Sequence, residues 1–188
     1  MKTAIILHGM PFEEEYYNSE ISSPSNTHWL SWLQQQLIVN KILAQTPEFP
    51  EPYKPVYEKW CEVFEQFKVD KDTILVGHSC GAGFLLRWLS ENKINVGKVV
   101  LVAPWIDPEK ELQTNFFDFE IDKELLSRVE SLCVFVSSDD YKVILDSVKI
   151  ITEQLPQIAV KNFEGKGHFT LGEMKTEKFP ELIEYILS

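Results

Sequence analysis

One run, Thr73-Ile74-Leu75-Val76-Gly77-His78-Ser79-Cys80-Gly81-Ala82-Gly83-Phe84, constrains this chain more than any other. A β-favouring apolar stretch leads into Gly-x-Ser-x-Gly, and an apolar pattern at helical spacing, Phe84, Leu85, Trp88 and Leu89, follows. A buried strand must therefore turn sharply into a helix at Ser79. Such a turn projects the serine Oγ above the sheet, and the glycines give room for the close backbone approach. The helix that follows brings unpaired N–H groups and its positive dipole end to the place where negative charge develops in acyl transfer. The pentapeptide alone would also suit an ordinary glycine-rich turn. Its position between strand and helix is what singles out Ser79 as a nucleophile and Cys80 as a backbone N–H donor to an oxyanion.

Short apolar runs alternate with longer amphipathic ones along the rest of the chain, the pattern of an α/β fold with about six mostly parallel strands and helices on both faces. Strands are predicted at Thr3 to Leu7, Lys41 to Gln45, Thr73 to Val76, Lys98 to Val102, Leu132 to Val136 and Ile158 to Asn162. Several are continuous in Ile, Leu and Val, as strands buried on both faces are. Besides the helix after Ser79, helices are predicted at about Thr27 to Ile38, with Asn26 or Thr27 as cap, and at Pro52 to Phe67, Asp122 to Glu130, Lys142 to Gln154 and Lys178 to Leu187. Two polar, acidic stretches with scattered aromatics interrupt the alternation, Pro11 to Pro24 and Ala103 to Ile121. The Glu13-Glu14-Glu15 run reads as a solvated connector. Trp105, Phe116, Phe117 and Phe119 read as exposed aromatics of a pocket wall or short lid, the first three as substrate-binding residues.

A serine hydroxyl is a poor nucleophile unaided, so a base and an orienting acid must follow it in the order Ser, Asp or Glu, His. His168 is the only histidine downstream of Ser79 and stands in the loop Gly165-Lys166-Gly167-His168-Phe169, after the last strand. The acid is expected at the end of the strand Leu132 to Val136, where Asp139 and Asp140 stand side by side. Asp140 is the expected acid and Asp139 the reserve, with the other of the two free to cap the next helix. The second oxyanion donor is expected from the loop after the first strand, His8-Gly9-Met10, through the Met10 backbone. His8 and His78 are expected to be structural, and the Cys80 thiol a bystander.

These segments resemble the small serine hydrolases of the retinoblastoma-binding-protein-nine type, a compact branch of the α/β-hydrolases. The likeness covers nearly the whole chain. It rests on the glycine-containing turn after the first strand, Thr27-His28-Trp29-Leu30-Ser31-Trp32-Leu33, Gly77-His78-Ser79-Cys80-Gly81, Phe135-Val136-Ser137-Ser138-Asp139-Asp140 and Gly167-His168-Phe169. The resemblance implies a Ser79, Asp140 and His168 triad, a largely parallel six-stranded sheet with a minimal lid, and esterase-like activity. Tyr141 stands where relatives commonly carry proline. The Leu-x-Cys-x-Glu motif for a retinoblastoma-type pocket is absent, since Cys61 follows Lys59-Trp60, so no such partner is expected.

Composition narrows the function classes. With 188 residues the chain suits one domain, here residues 1–188, and its 44% hydrophobic content supports a core. A net charge of -11 disfavours nucleic acid and anionic membrane surfaces as partners. Three cysteines without a CxxC pair fit neither a disulfide framework nor a zinc site, and no His and carboxylate spacing suggests another metal. No cofactor is expected. The N-terminal apolar run ends at His8-Gly9, short of a secretory segment, and a cytoplasmic, unprocessed protein is expected. The reading is a carboxylesterase acting on a small-molecule ester. A thioesterase, lactonase or small peptidase on the same machinery is open, as is a binding protein that keeps the fold without the chemistry.

Overall fold

The computed structural model describes residues 2–188. Its strands are β1 (Thr3–Leu7), β2 (Leu43–Gln45), β3 (Thr73–His78), β4 (Val96–Val102), β5 (Val129–Ser137) and β6 (Ala159–Phe163). All neighbouring pairs are parallel, in the order β2-β1-β3-β4-β5-β6. The helices are α1 (Glu13–Tyr16), α2 (Leu30–Val39), α3 (Tyr57–Phe64), α4 (Cys80–Asn92), α5 (Lys142–Gln154), α6 (Leu171–Met174) and α7 (Pro180–Leu187). No helix of the described residues is long and apolar enough to cross a membrane.

The strand order fixes where the helices lie. From β1 the chain steps outward to β2, then crosses back to β3 and continues in the other direction to β6. Parallel crossovers are right-handed, so α2 covers one face and α3, α4 and α5 cover the other. Side-chain packing agrees. Trp60 and Phe64 of α3 meet Phe84 and Trp88 of α4, while Trp29, just before α2, meets Phe179, just before α7. Every residue of β3 is buried, which suits the apolar run Ile74-Leu75-Val76 at its centre. Each large side chain removed from water here contributes about 1.5–3 kcal/mol.

The direction of the sheet reverses between β1 and β3, and open α/β sheets bind ligands outside the strand ends at such a point. The register pairs Leu7 with Gly77 and His78 with Val102, so the chain after β1, β3 and β4 emerges at one level. His8 onward therefore runs beside Ser79.

Several elements differ from the sequence expectation. The helix predicted from Asp122 is a single 3-10 turn, Leu125–Arg128, because β5 begins early, with Val129 pairing Val96. Asp122 instead pairs with the Arg128 side chain. The helix predicted from Pro52 starts at Tyr57, since Pro55 biases Lys54 away from helical backbone. Ahead of α2, Pro24–Asn26 form a separate 3-10 turn and His28 takes φ +55°, so the helix starts at Leu30 with no side-chain cap. Asn26 and Thr27 bond within the preceding turn. The Glu13 to Glu15 run forms the exposed helix α1.

The aromatic stretch 103–121 is corrected too. Phe116 is fully buried against Trp60, Tyr57 and Phe84, and Trp105 is buried with Phe117 packed between it and Phe116. Arg87 of α4 holds the stretch down. Its guanidinium donates to the carbonyls of Asn115 and Phe116, pairs with Glu91 at 2.9 Å, and lies 3.5 Å over the Tyr57 ring. Arg87→Ala is expected to cost about 2–4 kcal/mol in urea unfolding, because it strands two carbonyls and opens a cavity. A loss under about 1 kcal/mol would show that the stretch is held by its aromatics alone.

Candidate active site

Ser79 sits at φ +53° and ψ -118°, backbone that a residue with a side chain adopts only under constraint. The constraint is visible. The Ser79 N–H donates to Val102, and its carbonyl accepts from the N–H groups of Ala82, Gly83 and Trp105. The turn closes only without β-carbons on either side. One on Gly77 would lie 2.6 Å from the Ala82 backbone, and one on Gly81 2.4 Å from the His8 carbonyl oxygen. Trp105, expected in a pocket wall, thus supports the elbow from below through its backbone.

Three side chains from three strand ends meet in a line. The Ser79 Oγ lies 2.9 Å from His168 Nε2, and His168 Nδ1 lies 2.9 Å from Asp140 Oδ1 and 3.3 Å from Oδ2. A carboxylate only accepts, so the ring hydrogen sits on Nδ1 and Nε2 is left to accept from the Ser79 hydroxyl. The Asp140 side chain is fully shielded from solvent, and its Oδ1 also accepts from the Tyr141 N–H at 2.7 Å.

Asp139 has a different task from the helix cap expected of it. It accepts from the Ser137 hydroxyl and from the N–H groups of Gly165 and Gly167, tying the His168 loop to the end of β5. The Ser137 bond, helped by these N–H groups, holds its carboxyl below the usual carboxylate range. Helix α5 begins after Tyr141 with no side-chain cap.

His78 and His8 hold backbone, each in its own place. The His78 Nε2–H donates to the His168 carbonyl at 2.8 Å, joining the elbow to the histidine loop. The His8 Nδ1–H donates to the Gly9 carbonyl at 2.7 Å, and its Nε2 accepts from the Phe49 N–H at 3.1 Å. With Nε2 so occupied the ring is neutral, and Glu48 at 3.7 Å is no ion-pair partner. Burial pushes both rings below the ordinary imidazole value, and His28 likewise. Burial pushes the Cys80 thiol far up, so it stays protonated.

The histidine shifts give a stability prediction. Above about pH 6.5 these rings are neutral whether the chain is folded or not; below it the unfolded chain takes up protons that the folded one refuses. Stability is thus fully present above that pH and falls as pH drops, with a slope of at most about 1.4 kcal/mol per unit for each ring that the fold keeps neutral. The urea midpoint should hold steady down to about pH 7 and decline toward pH 5. A flat profile to pH 5 would contradict the neutral, buried assignment.

A cavity of about 540 Å³ opens directly beside Ser79 and His168. Its walls are Met10, Phe12, Ile21 and Pro24 from the chain after β1, with Tyr141 and His28. Trp105, Phe116 and Phe117 do not line it: Phe116 packs onto Trp60 of α3 and Phe84 of α4, Phe117 packs on Phe116, and Trp105 packs on Phe117. Met10, Phe12, Ile21 and Tyr141 are exposed at its rim. The Cys80 N–H opens α4 and, as a first-turn donor, has no partner within the helix. No group of three or more His, Cys, Asp or Glu among the described residues is placed to hold a metal ion.

One residue beside the line had no individual reading in the sequence. Glu173 Oε2 accepts from the His168 N–H at 2.6 Å and from the Thr170 hydroxyl at 3.0 Å, fixing the loop from its other side. An acid within one short loop of the sole downstream histidine was the available signal.

The fold and the elbow are those of the α/β-hydrolases. The chain belongs to the serine hydrolase family, whose profile matches residues 16–186. The Bacillus subtilis (strain 168) protein YdeN is 26% identical over 155 residues, 77% of this chain and 80% of that protein. The solved structure of the B. subtilis ydeN gene product superposes with a TM-score of 0.83 at 23% identity, covering 100% of this chain and 97% of the other. A YdeN-like protein from Pectobacterium atrosepticum follows at 0.63 and 18%, covering 97% and 88%. The fluorophosphonate-binding serine hydrolase FphF of Staphylococcus aureus gives 0.61 and 14%, covering 100% and 84%. At these identities the three structures are similar to this chain in fold.

Proposed function

We propose that this chain is a carboxylesterase that hydrolyses small, largely apolar esters through an acyl-enzyme. The observation that carries the reading is the unbroken line from Ser79 Oγ through His168 to the shielded Asp140, opening on a cavity with apolar walls. Ser79 Oγ attacks the ester carbonyl while its proton passes to His168 Nε2, and Asp140 stabilises the imidazolium that forms. The N–H groups of Cys80 and Met10 receive the oxyanion, each such donor being worth about 2.7–4 kcal/mol. Collapse expels the alcohol with the proton from His168. Water, deprotonated by His168, then attacks the acyl carbon, and Ser79 recovers its proton as the acid departs.

The rim of Met10, Phe12, Ile21 and Tyr141 supplies apolar contact, and Glu13, Glu14 and Glu15 beside it disfavour an anionic substrate. All three cysteines are free, which suits a reducing compartment, and we assign the cytoplasm. A fluorophosphonate probe tests the reading. Wild-type protein should be labelled at Ser79 and Ser79→Ala should not; folded wild type that resists the probe would overturn it.

A further inference from the structure

His28 lines the cavity with a ring nitrogen that the acyl-enzyme mechanism leaves unused. Its Nδ1 accepts the Leu171 N–H at 3.1 Å, and a neutral imidazole carries a single hydrogen, which therefore sits on Nε2. Burial, with His168 nearby, keeps the ring neutral. Nε2 has no hydrogen-bond partner among the described residues, and it is not sealed from solvent, in a side chain that lines the cavity beside Ser79. The ring is held by packing as well as by the bond from Leu171. It meets the His78 ring edge-on at 5.8 Å, and the backbone takes φ +55°, left-handed geometry that costs a residue with a β-carbon.

A fixed N–H donor among apolar walls is how a pocket orients a ligand. We infer that His28 Nε2–H binds a substrate oxygen outside the scissile group, so that the preferred ester carries an ether, ketone or amide oxygen in its acyl or alcohol part. The inference rests on the carboxylesterase reading and narrows its substrate class. A site built to bond such an oxygen disfavours the analogue that lacks it, because its donor is then left unpaired.

The test is an oxygen scan. For the acyl side, p-nitrophenyl pentanoate is compared with esters in which one chain methylene is replaced by an ether oxygen. For the alcohol side, butyl acetate is compared with its ether-oxygen counterparts. Each kcat/KM is divided by that ester's own alkaline hydrolysis rate. Wild type should favour at least one oxygen-bearing ester by about 10-fold. Two variants separate the ring's nitrogens. His28→Asn tolerates the left-handed backbone and keeps an acceptor where Nδ1 stood, but deletes the distal donor; it should flatten the preference to within about 2-fold. His28→Gln carries an N–H at the distal position and should retain part of the preference. Each preference is a ratio within one protein, so it does not depend on the variants keeping the wild-type rate; labelling of Ser79 by a simple fluorophosphonate checks that each variant is folded with a reactive serine. Absence of any preference in wild type overturns the inference whatever the variants do, and so does a preference that survives in His28→Asn at full labelling. Failure of wild-type Ser79 to label overturns the esterase reading itself, a distinguishable result that takes this inference with it.

Discussion

Ser79→Ala should reduce kcat for p-nitrophenyl butyrate by about 10⁶-fold while leaving the fold intact. The size follows from the proposed mechanism, in which the three side chains act as a unit. Without the Oγ no acyl-enzyme forms, and His168 and Asp140 have nothing to activate, so what remains is the contribution of oxyanion donors and binding, about 10³–10⁴ over water. The fold should survive because the elbow is held by backbone. The bonds at the Ser79 N–H and carbonyl use no side chain, and the left-handed backbone is no worse for alanine than for serine. A steady-state assay with a circular-dichroism melt on the same sample checks both halves. A residual rate within about 100-fold of wild type would mean that ester cleavage does not pass through Ser79.

The sequence carried the frame of this site because the frame is local. A parallel strand buried on both faces must be an apolar run, and Thr3 to Leu7 and Thr73 to Val76 are such runs bounded by Gly, His and polar residues. The elbow is equally local, since Gly77 and Gly81 are required by atoms within the turn and the neighbouring strand end. Chain order then placed Asp140 after β5 and His168 after β6. Nothing beyond the strand count was needed to bring them near Ser79.

What the sequence did not yield depends on contacts between distant segments. Phe116 reads as a pocket aromatic until α3 and α4 are packed, when it proves to fill the space between Trp60 and Phe84. The cavity walls come instead from residues 10–24, whose polar, proline-containing sequence has no periodicity to announce a wall. His28 looked like part of a helix start, and only its positive φ sets it apart. The partners of Asp139, Gly165 and Gly167, lie in a loop that meets it only once β5 and β6 pair.

The adjacent carboxyls give the sharpest remaining prediction, because the proposed mechanism gives them different jobs. Asp140→Asn should lower kcat by about 10⁴-fold. An amide NH₂ facing the ring would favour the tautomer with its hydrogen on Nε2, and that nitrogen could then no longer accept the Ser79 proton. The substitution is nearly isosteric, so binding should change little and the loss should fall on kcat. Asp139→Asn should behave differently. Its partners are the Ser137 hydroxyl and the N–H groups of Gly165 and Gly167, and an amide oxygen can continue to accept from two of the three. The His168 loop is also held by Glu173 and His78, so kcat should stay within about 10-fold of wild type and the larger effect should be a lowered melting temperature. Steady-state kinetics on the two variants side by side reads the assignment directly. The reverse order of losses would move the acid from Asp140 to Asp139, and equal small losses would remove a carboxylate from the mechanism altogether.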